Sequence, residues 1–208
     1  SYQSNLKDEA IVNADRFIRL YPNHPNVSYA YYLRALANFD KGQNFLTKIF
    51  AQDPSKYDVS KLRASFDDFS IVINKFPKSK YAKDSRNRLL YIKNMMAKNE
   101  LYIAKYYVKR QAYIAAIERV KYLLTNYNGT PSTEEALLIL IEGYNYLGMN
   151  DLASDTARVL KENYPDYRIE NRNGVIIAEK EIKIEKKVVM EKSDSSSWFR
   201  FLNIYNYF

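Results

Sequence analysis

The chain of 208 residues contains no cysteine and a single histidine, His24. Thiolate chemistry, disulfides and cysteine-based metal sites are therefore excluded, and a histidine-based metal centre or catalytic triad lacks the residues it needs. His24 stands between two prolines in "RFIRLYPNHPN" (16–26), with no acid or nucleophile beside it. It reads as a structural loop residue that hydrogen-bonds or caps the next helix, and Asn26, just before Val27, is the better N-cap. The acidic pair Asp67–Asp68 lies between Phe66 and Phe69. Adjacent residues on a helix point about 100° apart, so the two carboxylates do not converge on one atom and read as solvated charges. There is no glycine-rich phosphate loop. The chemistry that remains is that of a non-enzymatic protein without cofactor or metal.

Charge and aromatics point elsewhere. Of the formal net charge of +8, almost all falls before Asp166, because from there onward eight Lys/Arg face seven Asp/Glu. The basic body fits an acidic partner or anionic surface, and equally a lysine-rich solvated face. Basic charge interleaved with 20 tyrosines invites a nucleic-acid reading, since rings can stack on bases. Yet Tyr29, Tyr31, Tyr32, Tyr91, Tyr102, Tyr106 and Tyr107 fall within helical apolar patterns. Core and inter-repeat packing accounts for most of them, and nucleic acid is not an expected partner.

The elements that position these residues follow from a repeated pattern. Five glycines and six prolines favour long helices over many short strands, and no stretch of eighteen apolar residues offers a membrane span. From a small residue, the positions four, seven, eleven and twelve places on recur four times. They are Ala10, Ala14, Phe17, Tyr21, Pro22; then Ser65, Phe69, Val72, Phe76, Pro77; then Ala116, Val120, Leu123, Tyr127, Asn128; then Ala153, Ala157, Leu160, Tyr164, Pro165. Steps of four and three keep residues on one helix face. The small residue lets a neighbouring helix approach, the terminal aromatic plugs the junction, and proline turns the chain. Each such helix is the second of a pair, most clearly in 134–165. There Leu137, Leu140, Ile141 and Tyr144 form the apolar stripe of the first helix and Gly148 ends it.

This is the tetratricopeptide pattern, whose usual unit is about 34 residues. The fold class is all-α, a tetratricopeptide-like α-solenoid of stacked antiparallel helix pairs over residues 1–167. The units are spaced 55, 51 and 37 residues apart, so the first two carry insertions. Residues 40–61 read as a long connecting loop, and 80–110, without proline or glycine, as one extended helix. Only nine residues precede Ala10, so the first repeat is expected to be truncated and to expose apolar surface. With neither an initiator Met nor a signal peptide, the chain reads as a mature form or fragment.

The segments 14–39 and 62–124, with "FIRLYPNHPN", "FDDF" and "AKYYVKR" in order and the unequal repeat spacing, resemble the BamD/ComL family over roughly residues 6–165. The family consists of lipid-anchored components of the machinery that assembles β-barrel proteins in Gram-negative outer membranes. The resemblance implies a non-catalytic helical scaffold at the periplasmic face of the outer membrane. Its anchor would be a lipidated cysteine upstream of Ser1, and its partners BamA, the other subunits and the C-terminal segments of unfolded barrel proteins. It also implies contact with BamA through Arg119, in "AAIERVKYLL", and recognition of the substrate segment through Arg16 and Arg19, in "DRFIRLYP". A guanidinium fork grips carboxylates bidentately, which suits both roles. The alternative is a general tetratricopeptide peptide-binding adaptor in another compartment.

Beyond Tyr167 the resemblance ends. Residues 168–208 read as a charged, then aromatic tail. Residues 175–192 are compatible with a short strand or an irregular helix, and "SDSSS" is a flexible break. "WFRFLNIYNYF" (198–208) places Trp198, Phe201, Leu202 and Tyr205 on one helical face. That face reads either as a docking peptide for a partner, the repeat groove or a membrane surface, or as a disordered tail with incidental aromatics.

Overall fold

The computed structural model describes residues 2–46 and 59–181. Seven helices follow one another among them: α1 (Tyr2–Leu20), α2 (Val27–Leu46), α3 (Ser60–Lys75), α4 (Ala82–Lys109), α5 (Tyr113–Tyr127), α6 (Thr133–Tyr146) and α7 (Asn150–Asn163). Two short strands, β1 (Tyr167–Arg172) and β2 (Val175–Lys180), complete the set. Each helix packs on its neighbours in sequence, and α4 also meets α6. The fold is the expected all-α array, with pairs α2/α3, α4/α5 and α6/α7 and with α1 in the position of a second helix.

The repeated offsets fall on the buried faces. Ser65, Phe69 and Val72 on α3, Ala116, Val120 and Leu123 on α5, and Ala153, Ala157 and Leu160 on α7 are all fully buried. Burying a side chain such as Phe69, Leu123 or Leu160 contributes about 1.5–3 kcal/mol each. Ser65 also donates its hydroxyl to the Ala35 carbonyl at 2.8 Å, which satisfies the buried oxygen where α3 crosses α2. At the end of α6, Gly148 adopts φ +69°, and the following Met149 N–H returns to the Tyr144 carbonyl at 2.9 Å. That left-handed turn is the reason for a glycine there.

On α1 the same offsets are covered mainly from one side, because its extensive packing among the described elements is with α2. Ala14 is buried, whereas Ala10, Leu6, Val12 and Leu20 are exposed. The aromatic expected to plug each junction does so at Tyr127, is half-buried at Phe76 and Tyr164, and is exposed at Tyr21. Tyr21 lies instead against Phe17, ring centroids 5.5 Å apart.

Residues 80–110 form the expected long helix, α4. The loop reading of 40–61 is corrected at both ends: 40–46 extend α2, and Ser60 and Lys61 begin α3. Residues 47–58 lie outside the described residues. Gly42 shows why a glycine in this helix is not a breaker. A Cβ there would stand 2.6 Å from Cγ and Cδ2 of Leu62, so its absence is what lets α3 approach α2.

Of the seven tyrosines read as core and inter-repeat packing, Tyr32 and Tyr107 pack against the core, and Tyr29, Tyr31 and Tyr91 meet the rings of Tyr81, Phe76 and Phe39. None of the seven is fully buried; Tyr29, Tyr91 and Tyr102 are exposed and the other four half-buried. A phenol lays its ring on apolar surface and keeps its hydroxyl wet, so these residues sit at the rim of helix contacts. After α7 the chain turns into an antiparallel hairpin pairing Tyr167 with Lys180 through Arg172 with Val175. Asn173 (φ 54°) and Gly174 (φ 88°) supply the two left-handed residues that a tight hairpin turn requires. Between the strand and helix alternatives for the start of 175–192, the strand is found, over Val175–Lys180. Tyr167 and Ile176 are buried against the last helix pair. The Asn145 side chain bonds the Ile176 backbone twice, donating to its carbonyl (2.7 Å) and accepting its N–H (3.0 Å). Glu134 accepts from the Tyr167 hydroxyl (2.9 Å) and from Lys180 (2.7 Å). The aromatic run 198–208 lies outside the described residues.

Candidate functional site

Arg119 occupies α5 between the buried positions Ala116 and Val120. It lies beside a carboxylate that the sequence reading missed. On α4, Met96, Ala97, Glu100, Leu101 and Ala104 share one buried face, so Glu100 puts an acid into an apolar stripe. Its side chain is 9% exposed, and its Oε2 lies 3.5 Å from Nη1 of Arg119, itself 42% exposed. Burial pushes the Glu100 carboxyl above the usual range, and Arg119 and then Arg63 pull it back in part. Arg63, on α3, donates to the Tyr122 hydroxyl at 2.6 Å. The Tyr122 ring stands edge-on to that of Tyr127 at 5.9 Å. Burial, with a hydrogen bond to Tyr122 adding to it, pushes the Tyr127 hydroxyl upward.

Two guanidiniums thus attend one largely hidden carboxylate. Arg119 spends one long contact on Glu100, while its fork has five N–H donors. The donors left over face solvent and can take a second carboxylate bidentately.

Arg16 and Arg19 lie one helical turn apart on α1, both exposed. Neither has an ion-pair partner among the described residues. α1 packs on α2, whereas α5 packs on α4 and α6, so the structure keeps these two arginines and Arg119 on separate surfaces.

A further arginine, also unforeseen, fastens α1 to the array. Arg34 of α2 donates through Nε to Oδ2 of Asp68 at 2.8 Å, through Nη2 to Oδ1 of the same carboxylate, and through Nη1 to Asp15 on α1. The reading of Asp67 and Asp68 as solvated holds for Asp67 and is corrected for Asp68, which is 5% exposed at its side chain. Burial pushes its carboxyl upward, and Arg34 opposes this. The pairing in turn holds the Arg34 guanidinium protonated more firmly than usual.

His24 has the structural part expected of it. Its Nδ1 accepts the Asn26 N–H at 3.1 Å, and its ring stands edge-on to Phe17 at 5.2 Å. Asn26 precedes α2 directly, and its carbonyl accepts from Tyr29 and Ala30. Among the described residues no cluster of His, Cys, Asp and Glu could hold a metal ion, and no helix is long and apolar enough to cross a membrane.

Comparison with known proteins gives one consistent family. The family model YfiO, described as outer membrane lipoprotein, matches residues 1–160. The outer membrane protein assembly factor BamD of Neisseria meningitidis serogroup A is 42% identical over 164 residues, 79% of this chain and 61% of that protein. The protein of the same name from Xylella fastidiosa (strain Temecula1) is 38% identical over 166 residues, 80% of this chain and 57% of that protein. That of Vibrio cholerae is 32% identical over 153 residues, 74% of this chain and 64% of its own length. The chain thus spans roughly three fifths of the length of the curated relatives it matches. The whole hairpin, from Tyr167 onward, lies past the residues the family model matches.

Proposed function

The chain belongs to the YfiO family of outer membrane lipoproteins, and on that premise we propose that it is a non-catalytic scaffold of outer-membrane β-barrel assembly. In this reading it works at the periplasmic face of the outer membrane, held there by a lipid carried on residues preceding Ser1. The relatives' name, outer membrane protein assembly factor, supports the process. The stacked helix pairs support the mechanism, because such arrays act by presenting fixed surfaces.

Two surfaces carry separate tasks. Arg119 docks a carboxylate of BamA, and Arg16 with Arg19 receives the C-terminal segment of an unfolded barrel protein. The observation that carries the first is the half-exposed Arg119 fork, aligned by buried Glu100 yet only lightly engaged by it. A charge-assisted bidentate contact contributes about 1.5–3 kcal/mol, roughly ten- to hundredfold in affinity.

The test is capture of BamA by the purified chain. Arg119→Glu is expected to lose capture by that factor. Because this change also sets two carboxylates side by side, it is paired with Arg119→Glu/Glu100→Gln, which removes the buried charge. Capture lost in both variants, with both still folded, supports the docking role. Undiminished capture by the double variant removes Arg119 from it. In parallel, Arg16→Glu/Arg19→Glu should weaken binding of a labelled barrel C-terminal peptide and leave BamA capture unchanged.

A further inference from the structure

Where the turn between α1 and α2 meets the turn between α3 and α4, an open cleft of about 530 Å³ is lined by Tyr29, Lys75, Phe76, Lys78, Lys80 and Tyr81, among others. None of its lining residues is Asp or Glu. Among the described residues none of the three lysines has an ion-pair partner; Lys80 alone has a contact of note, 5.2 Å from the Tyr81 ring centroid. The corresponding turn between α5 and α6, Asn128–Ser132, carries no lysine, so this charge is particular to one junction. Three like charges held around one concavity attract anions there.

The wall of the cleft is rigid. Tyr81 stacks on Tyr29 (5.2 Å, 29°) and on Tyr32 (4.8 Å, 22°). Tyr32 is fixed in turn by its hydroxyl donating to Asp84 at 2.7 Å. Tyr29, at the open end of the stack, is 41% exposed and offers ring surface to a ligand.

We propose that this cleft binds an acidic peptide segment in extended conformation, its carboxylates on Lys75, Lys78 and Lys80 and an apolar side chain against Tyr29. A compact phosphate fits less well, because three of the turn's backbone donors are already used. The Ser79 N–H bonds the Phe76 carbonyl, the Tyr81 N–H the Ser79 hydroxyl, and the Ala82 N–H the Ser79 carbonyl. What is left is positive charge on three flexible stems spread along the turn. That matches carboxylates spaced along a chain better than charge gathered at one point. Pro25 and Pro77, also in the lining, stiffen both turns, so little ordering is needed on binding. The site is independent of Arg119, Arg16 and Arg19.

Fluorescence anisotropy tests it, with the full chain and a labelled peptide alternating glutamate and phenylalanine; the same peptide with lysine for glutamate is the control. The acidic peptide should bind, more weakly as salt rises, and the basic one should not. Lys75→Gln/Lys78→Gln/Lys80→Gln should reduce affinity about tenfold or more, and Tyr29→Ala several-fold. All four side chains reach solvent or the cleft, and thermal melting should show the variants folded. Equal binding by the triple variant overturns the assignment, as does competition by inorganic phosphate or phosphatidylglycerol vesicles as effective as that by unlabelled peptide.

Discussion

Arg34→Met removes the guanidinium that bridges α1, α2 and α3 and keeps most of its aliphatic stem. Asp68 would then remain 5% exposed with no cation against it. Removing one partner of a buried pair costs about 3–5 kcal/mol, because the other charge stays desolvated. Arg34 is itself 21% exposed, which places this case near the lower end, about 3 kcal/mol. For a chain of this length that corresponds to a fall in Tm of roughly 6–12 °C, read by circular dichroism. The pH dependence has a definite sign. Burial raises the folded-state value for Asp68 above its ordinary one, and with Arg34 gone nothing offsets it. A carboxyl that binds its proton more tightly when folded loses stability as pH rises through the folded value and regains it as pH falls toward the unfolded one. The deficit of Arg34→Met should therefore be largest near neutrality and shrink on acidification. Arg34→Met/Asp68→Leu should recover most of the loss, since an apolar pair in place of a buried ion pair is often neutral. A single variant within 1 °C of the parent, or a double variant no better than the single, would refute the reasoning.

Four further outcomes follow from other contacts. Gly42→Ala should destabilise by about 1–3 kcal/mol in chemical denaturation, because the new methyl meets fully buried Leu62 at 2.6 Å. Glu100→Gln should raise Tm relative to the parent by an amount that grows as pH rises above the ordinary Glu value, since it removes a carboxyl whose folded value is raised; a flat difference across pH 4–8 would contradict the burial. Asn145→Ala should free the Ile176 amide to exchange faster while α6 and α7 keep their protection. The hairpin should also loosen in acid. Lys180 and the Tyr167 hydroxyl hold Glu134 below its usual value, so their contribution is present above that value and lost as pH falls through the lowered one.

The helical repeats were legible because their signal is local and redundant. Ser65, Phe69 and Val72 state the face of α3 without reference to any other segment, and two further helices repeat the statement. Arg34–Asp68 and Arg119–Glu100 were not legible as pairs. Each joins residues 34 and 19 positions apart, and one sequence does not say which charge in an apolar stripe is solvated and which is matched across a helix interface. A signal was nonetheless there: Arg34 and Glu100 each interrupt a run of buried positions, and a charge in such a place demands a partner. The hairpin was half legible. Asn173-Gly174 is a turn signal in its own right, and Val175–Ile177 after it favour a strand, but the hairpin's anchor, Asn145, lies on another element.

The distribution of charge also bears on how the proposed surfaces relate. α1, which carries Arg16 and Arg19, packs on α2 and is fastened through Asp15 to Arg34 of α2, and through the same guanidinium to Asp68 of α3. The Arg119 surface is built from α3, α4 and α5, with Glu100 and Arg63 as its neighbours. α3 is thus the one helix common to both: Asp68 anchors the first surface from it, and Arg63 flanks the second. In an array where each unit contacts only its neighbours, energetic coupling between distant surfaces has to pass through such a shared element. If occupancy of one surface alters affinity at the other, Arg34→Met should abolish that coupling while leaving BamA capture intact, because it severs α1 from α3 and touches no part of the Arg119 surface. If the two bind independently in the parent as well, the helices act as a rigid spacer, and the division of labour between α1 and α5 is one of geometry alone.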